Sequence, residues 1–152
     1  MKRAFLIRFT IIHLLTYWVI GGIMYELCGY EEALAHMEYF QLWRDLENLT
    51  SVALVFFGQI FRGVILGLLL YPFAPLYLDR KRGFLLLFLL LFGLTSLASP
   101  LFLIDSLTYE HSLAQWISDM VIGLPELVVQ TFVFSVILVG WMNGYKKKVS
   151  KD

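Results

Sequence analysis

The sequence predicts an all-α polytopic membrane protein: a bundle of four transmembrane helices with a short amphipathic surface helix between the first two. Three observations carry this prediction. The composition is 59% hydrophobic and only 16% charged, whereas soluble domains average about 45–50% apolar and about 25% charged residues. The apolar residues gather in long uninterrupted stretches, and nearly all of the charges lie between these stretches.

Four apolar stretches are long enough to span a bilayer, since a helix needs about 20 such residues to cross about 30 Å of hydrocarbon. They cover residues 4–25, 49–71, 84–104 and 120–142. The first runs past the usual length of a signal-peptide core, so we expect it to be retained as a span. With no internal repeat, the chain is expected to form one membrane domain over 1–152, ending in a basic tail at 143–152.

The charges outside the spans sort by sign. The N-terminus, the second loop and the C-terminal tail carry Lys2, Arg3, Arg80, Lys81, Arg82, Lys146, Lys147, Lys148 and Lys151. The other two loops carry Glu26, Glu31, Glu32, Glu38, Asp45, Glu47, Asp105, Glu110 and Asp119, with Arg44 as their cation. Because short cytoplasmic loops are enriched in Lys and Arg, both termini are expected to be cytoplasmic, and we expect the plasma (inner) membrane.

The outer segment 31–47 is too polar to span. It places Leu34, Met37, Phe40, Trp43 and Leu46 at three-residue steps between charged residues. This pattern predicts a short helix lying on the membrane surface. A helix that binds a partner protein would show the same pattern.

Prolines mark the end of the second span. Pro72 and Pro75 lie just before the basic run 80–82. Each proline lacks a backbone N–H, so the helix is expected to end or bend there.

Four ionisable residues fall inside the predicted spans: Arg8, His13, Arg62 and Glu126. Such groups cost about 2.5–3.5 kcal/mol each on insertion scales, so each needs a partner or a function. Arg8 lies near the inner boundary, and its long side chain is expected to extend to the cytoplasmic headgroups. Arg62 lies near the middle of its span, where neither membrane surface is close.

The second and fourth spans carry matched polar residues. Gln59 stands three residues before Arg62, and Glu126 stands four residues before Gln130, so each pair shares a helical face. At about 1.5 Å per residue, Gln59 and Gln130 lie at a similar depth, about 15 Å below the outer surface. Arg62 lies about 10 Å below Glu126, so a direct ion pair needs extended side chains. If Pro125 occupies the first turn of its helix, Glu126 lies nearer the outer headgroups and Arg62 needs another partner.

Other residues add to this predicted polar site. His13 lies mid-span in the first helix and can titrate near neutral pH. Gly63 and Gly67 have the small-x-x-x-small spacing that lets a second helix approach closely. The hypothesis is therefore a polar site of Arg62, Glu126, Gln59, Gln130 and His13 between the second and fourth spans.

Two functions fit this predicted site. In the first, it binds or passes a small solute or ion, which with four spans would require a homo-oligomer. In the second, the chain is an accessory or assembly subunit of a larger membrane complex, and the polar residues only fix helix pairing.

Enzymatic functions have weaker support, and we expect no enzyme activity. Asp105 and Asp119 could form an acid/base dyad of an intramembrane hydrolase, but capping and solvated loops explain both. A single cysteine, Cys28, excludes CxxC redox pairs and thiolate clusters, and no metal or cofactor motif is present. The formal net charge is +0, so we expect the lipid bilayer as partner and no nucleic acid.

Overall fold

The computed structural model describes residues 2–28, 49–93 and 113–149. The regular structure in these ranges is helical: α1 Lys2–Cys28, α2 Leu49–Leu70, a 3-10 turn Tyr71–Phe73, α3 Ala74–Leu78, α4 Gly83–Leu91 and α5 Leu113–Val149. The predicted all-α fold is confirmed for these residues. The predicted surface helix 31–47 and residues 94–104 of the predicted third span lie outside them.

Three helices are long and apolar enough to cross a membrane. The candidate spans are Lys2–Leu27, Val52–Leu78 and Leu124–Lys148, of 26, 27 and 25 residues. At about 1.5 Å per residue each reaches nearly 40 Å, which exceeds the hydrocarbon thickness. The chain is therefore a polytopic membrane protein in contact with lipid, whereas the count of four spans stays a prediction.

The second span is interrupted where the prolines lie. The α-helix ends at Leu70, a 3-10 turn follows, and α3 continues to Leu78. The buried Tyr77 hydroxyl donates a hydrogen bond of 3.0 Å to the Leu70 carbonyl and so stabilises the end of α2. This break lets α3 pack against α4 and α5.

Helix α1 is the centre of the described bundle, because it packs extensively against both α2 and α5. Gly63 lies against Thr10 while Gly67 lies against Leu6, so α1 and α2 are antiparallel. The Phe9 and Phe134 rings are 4.8 Å apart, and Arg8 stacks near Tyr145, so α1 and α5 are antiparallel too. On the other side, α4 packs against α5, where Phe88 meets Phe132.

One end of the bundle collects the basic residues. Lys146 Nζ lies 2.6 Å from Asp79 Oδ1, which joins the end of α5 to the turn that follows α3. Arg8, near the start of α1, also contacts the end of α5. The following residues therefore lie at this end: Lys2, Arg3, Arg80, Lys81, Arg82, Lys146, Lys147 and Lys148. We call it the basic end; the side of the membrane that it faces stays a prediction.

The apolar core fills the half of the bundle nearest the basic end. Its buried members include Phe5, Phe9, Ile12, Leu70, Tyr77, Leu87, Phe134, Leu138 and Met142. On α1 the core stops at Ile12, and the next residue is His13. The polar residues predicted to form a site therefore begin where the tightly packed half ends.

Candidate functional site

The site is organised by a polar face of α1. Thr10, His13 and Tyr17 recur at three- and four-residue steps, and Gly21 follows four residues later. Residues at this spacing lie on one side of a helix. Thr10 and His13 lie against α2 at Gly63, and Gly21 lies against Glu126 of α5. Both other long helices thus meet this face.

His13 and Gln59 form the direct polar contact between α1 and α2. His13 Nε2 lies 3.1 Å from Gln59 Oε1, and Gln59 is buried at 5% exposure. Because an amide oxygen only accepts hydrogen bonds, the imidazole donates through Nε2. In the neutral ring, Nδ1 is then an acceptor. This contact satisfies polar groups that lipid could not satisfy.

Two glycines of α2 bring α1 close enough for this contact. A Cβ built on Gly63 would lie 3.1 Å from His13 Cδ2, and one built on Gly67 would lie 3.1 Å from Leu6 Cδ2. Both glycines are buried. The predicted small-residue spacing therefore faces α1, and larger side chains there would push the helices apart.

Tyr17 belongs to the site, although it was not among the site residues predicted from the sequence. Its side chain hydrogen-bonds with that of Gln59, and its hydroxyl interacts electrostatically with Arg62 and Glu126. The signal that could have identified Tyr17 is its position four residues after His13, on the same helical face. Tyr17 thus connects the polar residues of α2 and α5.

Arg62 lies at the margin of the packed face of α2. Val55 and Gln59 on that face are buried, whereas Arg62 and its neighbour Gly58 are exposed. Helix α1 lies against Gln59 and Gly63, so Arg62 lies at the edge of the contact between α1 and α2. Its charge acts on Tyr17 and His13. A direct ion pair between Arg62 and Glu126 stays a prediction. The Tyr17 hydroxyl interacts electrostatically with both side chains.

Glu126 and Gln130 approach the site from α5. Glu126 Oε1 lies 3.2 Å from a Cβ built on Gly21, and both α5 side chains are half-buried. Gln130 follows one turn later, one turn before Phe134, whose ring lies 6.4 Å from that of His13. Gln130 therefore shares the α5 face that meets α1.

Pro125 lies well inside α5, because that helix begins at Leu113. The alternative in which Pro125 starts the helix is therefore wrong. Glu126 is thus an interior residue of a long helix and lies thirteen residues after its first residue, Leu113.

Metal and acid/base chemistry receive no support from the described residues. Within 2–28, 49–93 and 113–149, no group of three His, Cys, Asp or Glu side chains could hold a metal ion. Asp105 and the Asp119 side chain, the hypothetical hydrolase dyad, lie outside the side chains that the structure describes. The absence of enzyme activity stays a prediction.

No family model matches the chain, and neither the curated proteins nor the solved structures contain a match. We therefore infer its function from the chemistry of the site.

The His13–Gln59 contact predicts a measurable coupling. Replacing both residues with leucine should lower the free energy of unfolding by less than the sum of the two single replacements. The coupling free energy should be about 0.6 kcal/mol and at most about 1.7 kcal/mol, as for other interhelical polar contacts in bilayers. Unfolding of the purified protein by SDS in mixed micelles measures it.

Thr16 provides the matched control for this cycle. It is also buried on α1, but its hydroxyl donates to the Ile12 carbonyl 2.8 Å away, within its own helix. Thr16→Val combined with Gln59→Leu should therefore be additive. Equal coupling in both cycles would show that the His13–Gln59 contact contributes nothing specific.

Proposed function

We propose that the protein binds a small anion at the cluster of His13, Tyr17, Gln59 and Arg62, and that assemblies of the chain pass such anions across the membrane. The observation that carries this proposal is Arg62, an exposed residue at mid-helix, beside hydrogen-bonding side chains of two helices. Arg62 lies about 20 Å along the helix from Leu49 and further from Leu78. At that depth a guanidinium charge is costly, and a bound anion would offset part of the cost.

The donors at the cluster suit an anion better than a cation. A guanidinium carries N–H groups in a planar fork that matches oxyanions, and it remains charged at all physiological pH values. The Tyr17 hydroxyl and the Gln59 amide add further donors. Glu126 lies across Tyr17, on the α5 side, where its charge would limit how strongly an anion is held. Weak binding of this kind is what conduction requires.

The packed half of the bundle argues against a path through a single copy. Phe9, Phe134 and Leu138 fill the bundle between the cluster and the basic end. Passage therefore needs a second copy that completes the path along the exposed side of Arg62, or a rearrangement of the helices.

A second candidate function is that of an accessory subunit. The outward face of α2 beside Arg62 exposes Phe57, Phe61 and Leu69, and a Cβ at Gly58 would meet nothing within 4 Å. This apolar surface suits a partner helix whose carboxylate or amide pairs with Arg62.

An anion-flux assay tests the proposal. Purified protein is reconstituted into liposomes loaded with KCl, and chloride efflux is recorded after addition of valinomycin. Arg62→Met should lower the flux by about tenfold or more, because the charge that offsets anion dehydration is lost. Arg62→Lys should retain part of the flux, since the charge remains at the same depth.

Arg80→Met is the matched control, because Arg80 is exposed in the turn at the basic end, away from the cluster. Its flux should stay near that of the wild type. If wild-type liposomes are no more permeable than empty ones, anion passage is excluded. If, in that case, another membrane protein copurifies with the wild type but not with Arg62→Met, the accessory function replaces anion passage.

A further inference from the structure

Arg8 occupies a defined position at the basic end that the mid-membrane cluster does not use. Its guanidinium carbon lies 3.9 Å from the centre of the Tyr145 ring and 5.4 Å from that of the Trp141 ring. Both rings belong to the last turns of α5. Their faces hold the guanidinium by cation–π contact, which leaves the N–H edge of the group for other ligands.

The hydrogen bonds of Arg8 are incomplete. Nη1 donates to the Ala4 carbonyl at 3.4 Å, a long contact within α1. Nε is buried and has no hydrogen-bond partner, and Nη2 makes no hydrogen bond with the side chains and backbone that the structure describes. Because Nε is enclosed by the chain and Nη1 is bonded to Ala4, Nη2 is the donor of this guanidinium that an acceptor from outside the chain can reach.

The guanidinium lies near the basic end, where the ends of the candidate spans place the lipid headgroups. Side chains on a helix lean toward its N-terminus, and Arg8 accordingly reaches back to Ala4, two residues after Lys2. Tyr145 directly precedes Lys146. Asp79, the acidic residue at this end within the part of the chain that the structure describes, already pairs with Lys146 at 2.6 Å. Arg8 thus lies near an excess of positive charge, which attracts the phosphates of anionic lipids.

We propose that Arg8, held by Tyr145 and Trp141, binds the phosphate of an anionic phospholipid in the leaflet at the basic end. The guanidinium edge donates to the phosphate oxygens, and the exposed ring of Trp141 packs along the lipid beside it. The bound lipid thereby joins the first and last helices of the bundle. This site is separate from the Arg62 cluster and does not depend on its function.

Native mass spectrometry of the full-length protein tests this site. The protein is purified in a neutral detergent and titrated with phosphatidylglycerol or with phosphatidylcholine. The wild type should retain phosphatidylglycerol preferentially. Arg8→Met should weaken that binding by about fivefold to tenfold, as expected for loss of a charged, hydrogen-bonded contact to the headgroup.

Arg3→Met is the matched control, since Arg3 carries the same charge at the same end and is exposed. It should change binding by less than about twofold if the attraction is site-specific rather than diffuse. Equal losses in Arg3→Met and Arg8→Met, or no loss in Arg8→Met, would overturn the proposal.

Two further measurements separate the remaining explanations. Tyr145→Leu keeps the Arg8 charge but removes the ring against it, so it should give an intermediate loss of lipid binding; wild-type binding in this variant contradicts the site. Inorganic phosphate at millimolar concentration should not displace the lipid. If it does, and itself remains bound, the site holds free phosphate and the lipid assignment is wrong.

Discussion

Replacing Gly83 with alanine is expected to destabilise the folded protein by about 3 kcal/mol or more, at the upper end of the range for overpacking. A Cβ at this position would overlap the Tyr77 carbonyl oxygen and lie 2.5 Å from the carbonyl carbon. These are backbone atoms, so no side-chain rotation relieves the overlap. The turn between α3 and α4 would have to open.

The consequence should reach beyond the turn itself. Gly83 begins α4 and its N–H donates to the Arg80 carbonyl at 3.1 Å. Opening the turn would shift α4, whose Phe84 and Phe88 rings meet Phe132 of α5 at 6.1 and 5.8 Å. SDS-induced unfolding in mixed micelles should therefore show a large loss of stability.

Gly140→Ala is the control for Gly83→Ala. Gly140 lies inside α5, and a Cβ there meets nothing within 4 Å. Alanine at that position should be neutral or stabilise the helix by up to about 1 kcal/mol. Comparable stability of the Gly83 and Gly140 variants would contradict the turn geometry described above.

The second large effect is expected at the α1–α2 contact. Gly67→Val should destabilise the protein by about 2–3 kcal/mol, because its built Cβ already lies 3.1 Å from Leu6 and 3.3 Å from Phe9. Phe9 is fully buried and contacts Phe5 and Phe134, so it has little room to move. In lipid, helix association depends on such close packing rather than on a hydrophobic driving force.

Gly58→Val supplies the comparison on the same helix. A Cβ at Gly58 meets nothing within 4 Å, and the residue is exposed. Its substitution should change the unfolding free energy by less than about 0.5 kcal/mol, as for other surface positions. If Gly58→Val and Gly67→Val destabilise the protein equally, the loss reflects helix propensity and not the contact with α1.

The sequence predicted those features that depend on local pattern. Apolar runs identified the three described spans, because a helix must satisfy its own backbone groups in lipid and its length follows from the bilayer. Pro72 and Pro75 indicated where α2 ends, since proline cannot continue the hydrogen-bond ladder. The spacing of Gly63 and Gly67 indicated a close helix contact. Each signal lies within a few residues of the feature it predicts.

The arrangement of the helices could not be predicted from local sequence patterns. Matching depths placed Gln59 and Gln130 in one predicted site with His13, but they did not indicate that Gln59 contacts His13 of α1 directly. A helix presents several possible contact faces, and periodicity does not say which neighbour covers each one. The position of α1 between α2 and α5 therefore had to come from the packing.

By itself, the sequence determined that this is a helical membrane protein with basic residues in three separate segments and costly polar groups within its spans. The tertiary structure alone decided that those basic segments share one end, that Tyr17 joins the polar cluster, that Arg62 is exposed, and that Arg8 lies against Tyr145. The physical reason is that each of these properties depends on residues from two different helices, far apart in the chain, and only packing brings them together.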